Sequence, residues 1–197
     1  MNVSTEFVTS ATGPGGFPKD RLPEIALIGR SNVGKSSLIN ALVRRSVART
    51  SGAPGKTRLV NFYRVQLNHQ KAFYLVDLPG YGYARGKKTA TGFGDLVEAY
   101  ITRTTVKGVL LLIDARHPGL EVDQIAWDWI NEKTIQKIII ATKADKLTRA
   151  MRVRHTKELE SLYKCPVRLV SIQSGEGLEG LWKLIVKLKN LKEIKTR

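Results

Sequence analysis

Short apolar runs alternate along the chain with stretches of helical periodicity. The runs occupy residues 25–28, 73–76, 109–113, 138–141 and 167–170. Short runs of this kind are typical of strands buried on both faces, as in a parallel sheet covered by helices. Helical periodicity follows at residues 36–44, 93–103, 122–132, 149–163 and 180–192. This alternation of strand and helix predicts a three-layer, doubly wound α/β domain.

One segment adds a strand of the opposite direction. Residues 59–67 alternate partly between apolar and polar residues and lead through residues 68–70 into the run at 73–76. This pattern predicts a hairpin. We therefore expect a mostly parallel sheet of six strands, one of them antiparallel, with helices on both faces.

Length and turn residues bound the domain organisation. The chain has 197 residues, 42% of them hydrophobic, which suits one globular domain and is too short for two ordinary ones. Clustered proline and glycine at residues 12–18 predict an irregular segment. We expect an irregular lead-in at residues 1–21, a single domain at residues 22–192 and a basic tail at residues 193–197.

The charge points to a class of partner, and the composition excludes several classes of protein. Lys and Arg number 33 against 17 Asp and Glu, a net charge of +16, which favours polyanionic partners, RNA first. Cys165 is the only cysteine, so an internal disulfide and a cysteine-built zinc site are excluded. No apolar run approaches the roughly 18 residues that cross a bilayer. We expect a cytoplasmic monomer without membrane insertion.

A phosphate-binding loop is predicted between the first apolar run and the first helix. The segment reads Gly-Arg-Ser-Asn-Val-Gly-Lys-Ser and fits GxxxxGK[ST]. Its glycines let successive amides face phosphate oxygens, and the helix adds the positive end of its dipole. A glycine-rich turn that binds nothing is the alternative, but such a turn does not need Lys-Ser at its end. With the serine that follows, the predicted nucleotide-binding residues are Gly29, Arg30, Ser31, Asn32, Val33, Gly34, Lys35, Ser36 and Ser37.

Two side chains of this loop have assigned chemistry. We expect Lys35 to reach the β and γ phosphates and the Ser36 hydroxyl to be a ligand of Mg²⁺.

A second acidic element follows the run at 73–76. Asp77 ends this predicted strand, where open α/β sheets bind ligands. We expect Asp77 to hold the magnesium through water, and the Gly80 amide to donate to the γ-phosphate. Asp-x-Pro-Gly alone is an ordinary turn, but its distance from the phosphate loop favours the functional interpretation. The nucleotide-binding residues predicted here are Asp77, Leu78, Pro79 and Gly80.

Base choice is predicted at the end of the run at 138–141. The Asp145 carboxylate can accept hydrogen bonds from N1 and N2 of guanine, whereas adenine offers no such pair of donors. This selects GTP over ATP and disfavours an ATP-dependent kinase. A helix start capped by Asp145 is the alternative. The predicted base-binding residues are Thr142, Lys143, Ala144 and Asp145. Val170, Ser171 and Ile172 at the end of the last strand are added, because guanine sites use a backbone N–H toward O6 there.

The combined motifs resemble one family of GTPases over most of the chain, from about residue 17 to 188. Residues 29–37, 48–57, 77–84, 114–118 and 142–146 are similar to the motifs of the EngB family (also called YihA or YsxC), within the TRAFAC class. The resemblance implies the P-loop NTPase fold of small GTPases, binding of GTP or GDP with Mg²⁺, and GTP hydrolysis. It also implies assembly of the bacterial large ribosomal subunit, with precursor rRNA and ribosomal proteins as partners, and a role in cell division and septation.

The resemblance assigns two switch segments. It identifies Thr57 as the switch I threonine that would contact Mg²⁺ and the γ-phosphate in the GTP state, and it places Gly55 and Lys56 beside it as nucleotide-binding residues. Residues 48–58 and 78–94 are the expected switches. The catalytic residues are then Lys35, Thr57 and Gly80, and the metal ligands are Ser36, Thr57 and Asp77.

Two positions depart from the commoner GTPase pattern. Tyr81 stands where many GTPases have a glutamine that orients water, which predicts slow intrinsic hydrolysis. Asn32 resembles the asparagine of potassium-activated GTPases, so K⁺ is a hypothetical further cofactor. The alternative function is a basic RNA-binding module that uses GTP or GDP as a structural cofactor with negligible turnover.

Overall fold

The structure, a computed structural model, describes residues 2–49, 59–68, 70–82 and 94–190 of the chain. In these ranges seven strands form one sheet: β1 (Val3–Ala11), β2 (Glu24–Gly29), β3 (Val60–Leu67), β4 (Phe73–Asp77), β5 (Val106–Asp114), β6 (Gln136–Thr142) and β7 (Val167–Leu169). The α-helices there are α1 (Lys35–Val43), α2 (Asp95–Ile101), α3 (Glu121–Asn131), α4 (Arg149–Tyr163) and α5 (Leu178–Lys189).

The sheet is mostly parallel. Its strand order is β1-β3-β4-β2-β5-β6-β7. Strand β3 runs antiparallel to both of its neighbours, β1 and β4, and every other pair of neighbours is parallel. The predicted hairpin and the single antiparallel strand are therefore confirmed.

Helices cover both faces of the sheet, because the central strands are apolar on both sides. Side chains of β2 alternate between two buried clusters: Ile25 and Leu27 belong to the cluster that contains α1 and α5. Ala26 and Ile28 belong to the cluster that contains α2, α3 and α4. The period of two along a strand explains this division. The three-layer α/β prediction is confirmed.

The count of six strands was wrong, because residues 3–11 form a seventh strand and not part of an irregular lead-in. Strand β1 pairs antiparallel with β3, from Val3 opposite Leu67 to Ala11 opposite Val60, with a register shift between Phe7 and Thr9. Only two of its side chains are buried, so the hydrophobic signal of this edge strand is weak. The division into residues 1–21, 22–192 and 193–197 otherwise stays a prediction, and the last segment lies outside the described residues.

The carboxyl ends of five strands meet at one edge of the sheet. Strands β4, β2, β5, β6 and β7 are parallel neighbours in this order. The chain leaves them at Asp77, Gly29, Asp114, Thr142 and Leu169. Loops at this edge of an open α/β sheet form its ligand site. None of the helices in the described ranges has the length and apolar character needed to span a membrane.

The packing predicts that Leu111 is important for stability. Its side chain is fully buried between β5 and the helices of one face, so Leu111→Ala should lower the free energy of unfolding by about 2–5 kcal/mol. Val153→Ala is the matched control, because Val153 is 54% exposed on α4 and its truncation should change that energy by less than about 0.5 kcal/mol. Urea unfolding of the nucleotide-free protein measures both, and equal effects of the two substitutions would contradict this assignment of the core.

Candidate functional site

The loop between β2 and α1 has the backbone shape that a phosphate-binding loop needs. Asn32 and Gly34 both have left-handed backbone angles, with φ of 62° and 109°. At the base of the loop, a Cβ on Gly29 would lie 2.7 Å from the carbonyl oxygen of Leu112. Glycine at this position therefore allows the loop to pass close to β5.

The start of α1 faces the same loop. Its N-cap is Gly34, and no side chain of the described residues caps the helix there, so the first N–H groups are free for an anion. Lys35 lies in this first turn, 8% exposed, and its Nζ donates to the carbonyl oxygens of Gly29 at 3.0 Å and Arg30 at 3.5 Å. Burial lowers the pKa of Lys35, and the charge of Asp77 opposes that shift. The neighbouring Ser37 is half-buried in the same turn.

Residues after β4 lie directly against the phosphate loop. The Ser31 amide donates to the carbonyl oxygen of Tyr81 at 3.3 Å, and Arg30 and Tyr81 form an isolated parallel bridge. A Cβ on Gly80 would lie 2.9 Å from both the nitrogen and the Oγ of Ser31, so only glycine fits there without displacing the loop. Leu78 is fully buried and anchors the start of this segment, because its amide donates to Leu27 at 3.1 Å.

Ser36 and Asp77 form an oxygen-rich pair that fits Mg²⁺. The Ser36 hydroxyl donates to Oδ2 of Asp77 at 2.5 Å. The other oxygen of Asp77, Oδ1, is buried and has no hydrogen-bond partner among the described residues. Burial raises the pKa of Asp77, whereas Lys35 and the Ser36 hydrogen bond lower it. A hydroxyl oxygen and a carboxylate with one unsatisfied oxygen are donors that a hard divalent cation prefers. The predicted residues Gly55, Lys56 and Thr57 lie outside the described residues.

The loop after β6 is tied to the phosphate loop by side chains. Thr142 is fully buried, and its hydroxyl donates to the carbonyl oxygen of Val33 at 2.9 Å. The Nζ of Lys143 donates to the carbonyl oxygen of Asn32 at 3.0 Å. The Lys143 side chain therefore ties the loop after β6 to the phosphate loop.

Asp145 meets the segment that follows β7. Its Oδ1 accepts a hydrogen bond from the Ser171 hydroxyl at 2.8 Å, which is the main cause that lowers the pKa of Asp145. The Ala144 amide donates to the carbonyl oxygen of Val170 at 3.3 Å. Asp145 is therefore a charged, oriented acceptor, as recognition of two guanine N–H groups requires.

Ile172 brings the last predicted segment next to the phosphate loop. Its Cδ1 lies 3.4 Å from the position of a Cβ on Gly34, and its side chain packs against the cluster of α1 and α5. The bulk of this isoleucine is thus accommodated beside the loop. The structure brings together all predicted site residues in the described ranges, while their individual roles stay predictions.

Sequence reasoning left Asp114 and Arg116 out of the site, although the structure places them in it. Asp114 is fully buried at the end of β5. Arg116 donates to it with Nε at 3.0 Å and with Nη2 at 2.8 Å, and Lys143 Nζ donates to Oδ2 at 2.9 Å. Burial alone would raise the pKa of Asp114, but the hydrogen bonds from Arg116 and Lys143 prevail and lower it. The sequence signal that could have placed Asp114 in the site is its position as a carboxylate directly after the apolar run at 109–113.

The Tyr81 side chain is buried and bound to α3. Its ring is 5% exposed, and its hydroxyl donates to Oδ1 of Asp123 on α3 at 2.7 Å. Burial is the main cause that raises the pKa of Tyr81, and the charge of Asp123 raises it further. The phenol is thus committed to a protein partner, and slow hydrolysis stays a prediction.

Comparison with known proteins gives consistent relatives. A family model described as "50S ribosome-binding GTPase" matches residues 24–143. The chain is 44% identical to "Probable GTP-binding protein EngB" of Heliobacterium modesticaldum, over 91% of this chain and 89% of that protein. A protein of the same name from Alkaliphilus metalliredigens is 45% identical, over 92% and 89%.

A solved structure shows the same fold. Era of Aquifex aeolicus, bound to GDP·AlF4⁻, is similar with a TM-score of 0.73 at 23% identity, over 89% of this chain. This chain spans 60% of the Era chain, less than two thirds of its length. The likeness confirms the predicted three-layer P-loop GTPase fold.

The position of Asp145 predicts a change of base preference on substitution. Asp145→Asn replaces a charged acceptor by an amide, so GDP should bind about 10- to 100-fold more weakly, because hydrogen bonds to charged groups contribute about 1.5–3 kcal/mol. Xanthosine diphosphate should then bind better than GDP, because its C2 carbonyl accepts from the new amide. Calorimetric titration with both nucleotides measures this. Glu176→Gln is the control, because Glu176 pairs with Arg152 and its loss should leave the base preference intact.

Proposed function

Because the chain belongs to the EngB family of GTP-binding proteins, we propose that it is a nucleotide-dependent switch in assembly of the bacterial large ribosomal subunit. In this proposal it works in the cytoplasm as a monomer, its partner is a precursor of that subunit with its rRNA and proteins, and it is required for normal cell division and septation. The chain is a GTP-binding protein and a GTPase, so the proposal concerns what the nucleotide controls.

The contact between the phosphate loop and the segment after β4 carries the switch proposal. The Ser31 amide binds the Tyr81 carbonyl, and Gly80 packs on Ser31. A γ-phosphate that takes hydrogen bonds from this loop must compete with, or lie beside, the Gly80–Tyr81 backbone. We therefore expect the position of Gly80 and Tyr81 against the phosphate loop to depend on which nucleotide is bound, which is the physical requirement of a switch.

The catalytic roles follow from the described donors. Bound Mg²⁺ would neutralise the charge that develops on the phosphates during hydrolysis. Ser36 and Asp77 would hold it, and Lys35 would direct its ammonium group to the β and γ phosphates, because two of its three N–H donors already fix its position at the loop. In this proposal the Gly80 amide donates to the γ-phosphate, and Thr57 completes the metal site in the GTP state.

Charge supports a ribosomal RNA partner. The net charge is +16, and exposed basic residues flank the nucleotide-dependent segments: Arg44, Arg45, Arg49 and Arg64. Basic residues bind the RNA backbone electrostatically, with strong salt dependence. The matching family model, described as ribosome-binding, agrees with such a partner. The basic residues Arg58, Arg85, Lys87 and Lys88, which the sequence also places near the switches, lie outside the described residues.

The partner should accelerate hydrolysis. In single-turnover reactions, precursor particles of the large subunit should increase the rate about tenfold or more, which corresponds to at least about 1.4 kcal/mol of the barrier. Small-subunit particles are the control for bulk RNA, and Lys35→Ala should abolish the rate in both cases. Tight binding of large-subunit particles without any acceleration would instead favour the alternative, in which the nucleotide is a structural cofactor of an RNA-binding module. The buried Tyr81 side chain is the observation that favours that alternative.

We further propose that K⁺ assists hydrolysis through Asn32. This residue lies at the turn of the phosphate loop in a left-handed conformation, and a monovalent cation there would help to neutralise charge between the phosphates. Turnover in potassium buffer should exceed turnover in sodium buffer at equal ionic strength by about tenfold, and Asn32→Ala should remove the difference. Equal rates in the two buffers would exclude this role.

A further inference from the structure

A fully buried carboxylate connects the two ends of the nucleotide site. Asp114 ends β5, the middle one of the five parallel strands whose carboxyl ends meet at the site, and it is 0% exposed. Three cationic side chains contact it: Arg116 by two hydrogen bonds, Lys143 at 2.9 Å and Arg30 at 3.6 Å. These three side chains come from three different loops of the site.

Lys143 is held at both sides of its amino group. One N–H donates to the carbonyl oxygen of Asn32 and another to Oδ2 of Asp114. The backbone of Lys143 is itself left-handed, with φ of 62°. The two hydrogen bonds at its amino group hold the side chain that starts from this backbone position. A lysine has a flexible four-carbon stem. Without Asp114, only the single carbonyl contact would fix its path.

Glu24 provides a comparison within the same molecule. It is also buried, 1% exposed, and also binds an arginine, since Arg103 donates to its Oε1 from Nε and Nη2. Its other partner is Thr105. Glu24 begins β2, at the end of the sheet opposite to the nucleotide, and its partners belong to the connection between α2 and β5. Glu24 is thus a buried, arginine-bound carboxylate like Asp114, but its side chain bonds to none of the loops at the nucleotide site.

We propose that Asp114 is a positioning residue for guanine nucleotide binding, which holds Lys143 beside the base and, through Arg30, ties the base-recognition loop to the phosphate loop. The proposal rests on the proposed role of Lys143 at the base. Arg116 clamps the carboxylate from outside, with its side chain 42% exposed, and so keeps both oxygens of Asp114 directed at their partners.

A double-mutant cycle on the full chain tests this role, with GDP affinity measured by calorimetry. Asp114→Asn keeps the shape of the side chain but removes its charge, so GDP should bind about tenfold more weakly. In the Lys143→Met background the same change should alter affinity less than about twofold, because its route of action is gone. Equal losses in both backgrounds would overturn the proposal, because a structural role does not depend on Lys143.

Two further variants keep the test decisive. Glu24→Gln should lower the melting temperature of the nucleotide-free protein and leave GDP affinity unchanged. If Asp114→Asn does not fold, Arg116→Gln replaces it, because the buried carboxylate then keeps Lys143 and Arg30 as partners. This variant should weaken GDP binding about threefold in the Lys143 background and not in the Lys143→Met background. No loss from Arg116→Gln in that case overturns the proposal. Absence of GDP binding by the unmodified protein would instead refute the proposed function itself.

Discussion

The orientation of the phosphate-loop carbonyl groups is the constraint on which the site depends. The carbonyls of Gly29 and Arg30 accept from Lys35, that of Asn32 accepts from Lys143, and that of Val33 accepts from Thr142. These donors fix the orientation of the loop carbonyls, and two loop amides are fixed as well, because Ser31 donates to the Tyr81 carbonyl and Val33 donates to the Arg30 carbonyl. The backbone of the loop is therefore held in one shape by its contacts with the rest of the protein. The left-handed backbone angles at Asn32 and Gly34 give the loop this shape.

At the same edge of the sheet, the opposite charges of Lys35 and Asp77 are buried close to each other. Burial lowers the pKa of Lys35 and raises that of Asp77, and each residue opposes the shift of the other. Burial of an isolated charge is costly, so the pair is tolerated because each partner offsets the other. Oδ1 of Asp77 has no hydrogen-bond partner in the part of the chain that the structure describes, so one oxygen of this carboxylate remains to be satisfied. A cation at Asp77 and a phosphate at Lys35 would satisfy both groups at once, which couples metal binding to nucleotide binding.

The sequence predicts those strands and loops whose residues carry a pattern within one short segment. The apolar runs of β2, β4, β5 and β6 are buried on both faces, so their sequence alone identifies them, and the phosphate loop follows from its own spacing. Strand β1 was not predicted because its stability comes from pairing with β3 across about fifty to sixty residues of sequence, while only Thr5 and Ala11 are buried. The Asp114–Lys143 contact depends on the register that sets Asp114 opposite Thr142. No motif within one segment contains such information.

Tyr81 shows how one residue can connect the nucleotide to the body of the domain. Its carbonyl accepts from the Ser31 amide of the phosphate loop, and its hydroxyl donates to Asp123 of α3. The side chain is fixed in the core, so it cannot also turn toward a water molecule at the phosphate. In the proposed switch the Gly80 amide would contact the phosphate, and the Tyr81 carbonyl holds the Ser31 amide of the phosphate loop beside it. Tyr81 is thus held by α3 through its side chain and by the phosphate loop through its carbonyl, so this one residue links the loop to the body of the domain.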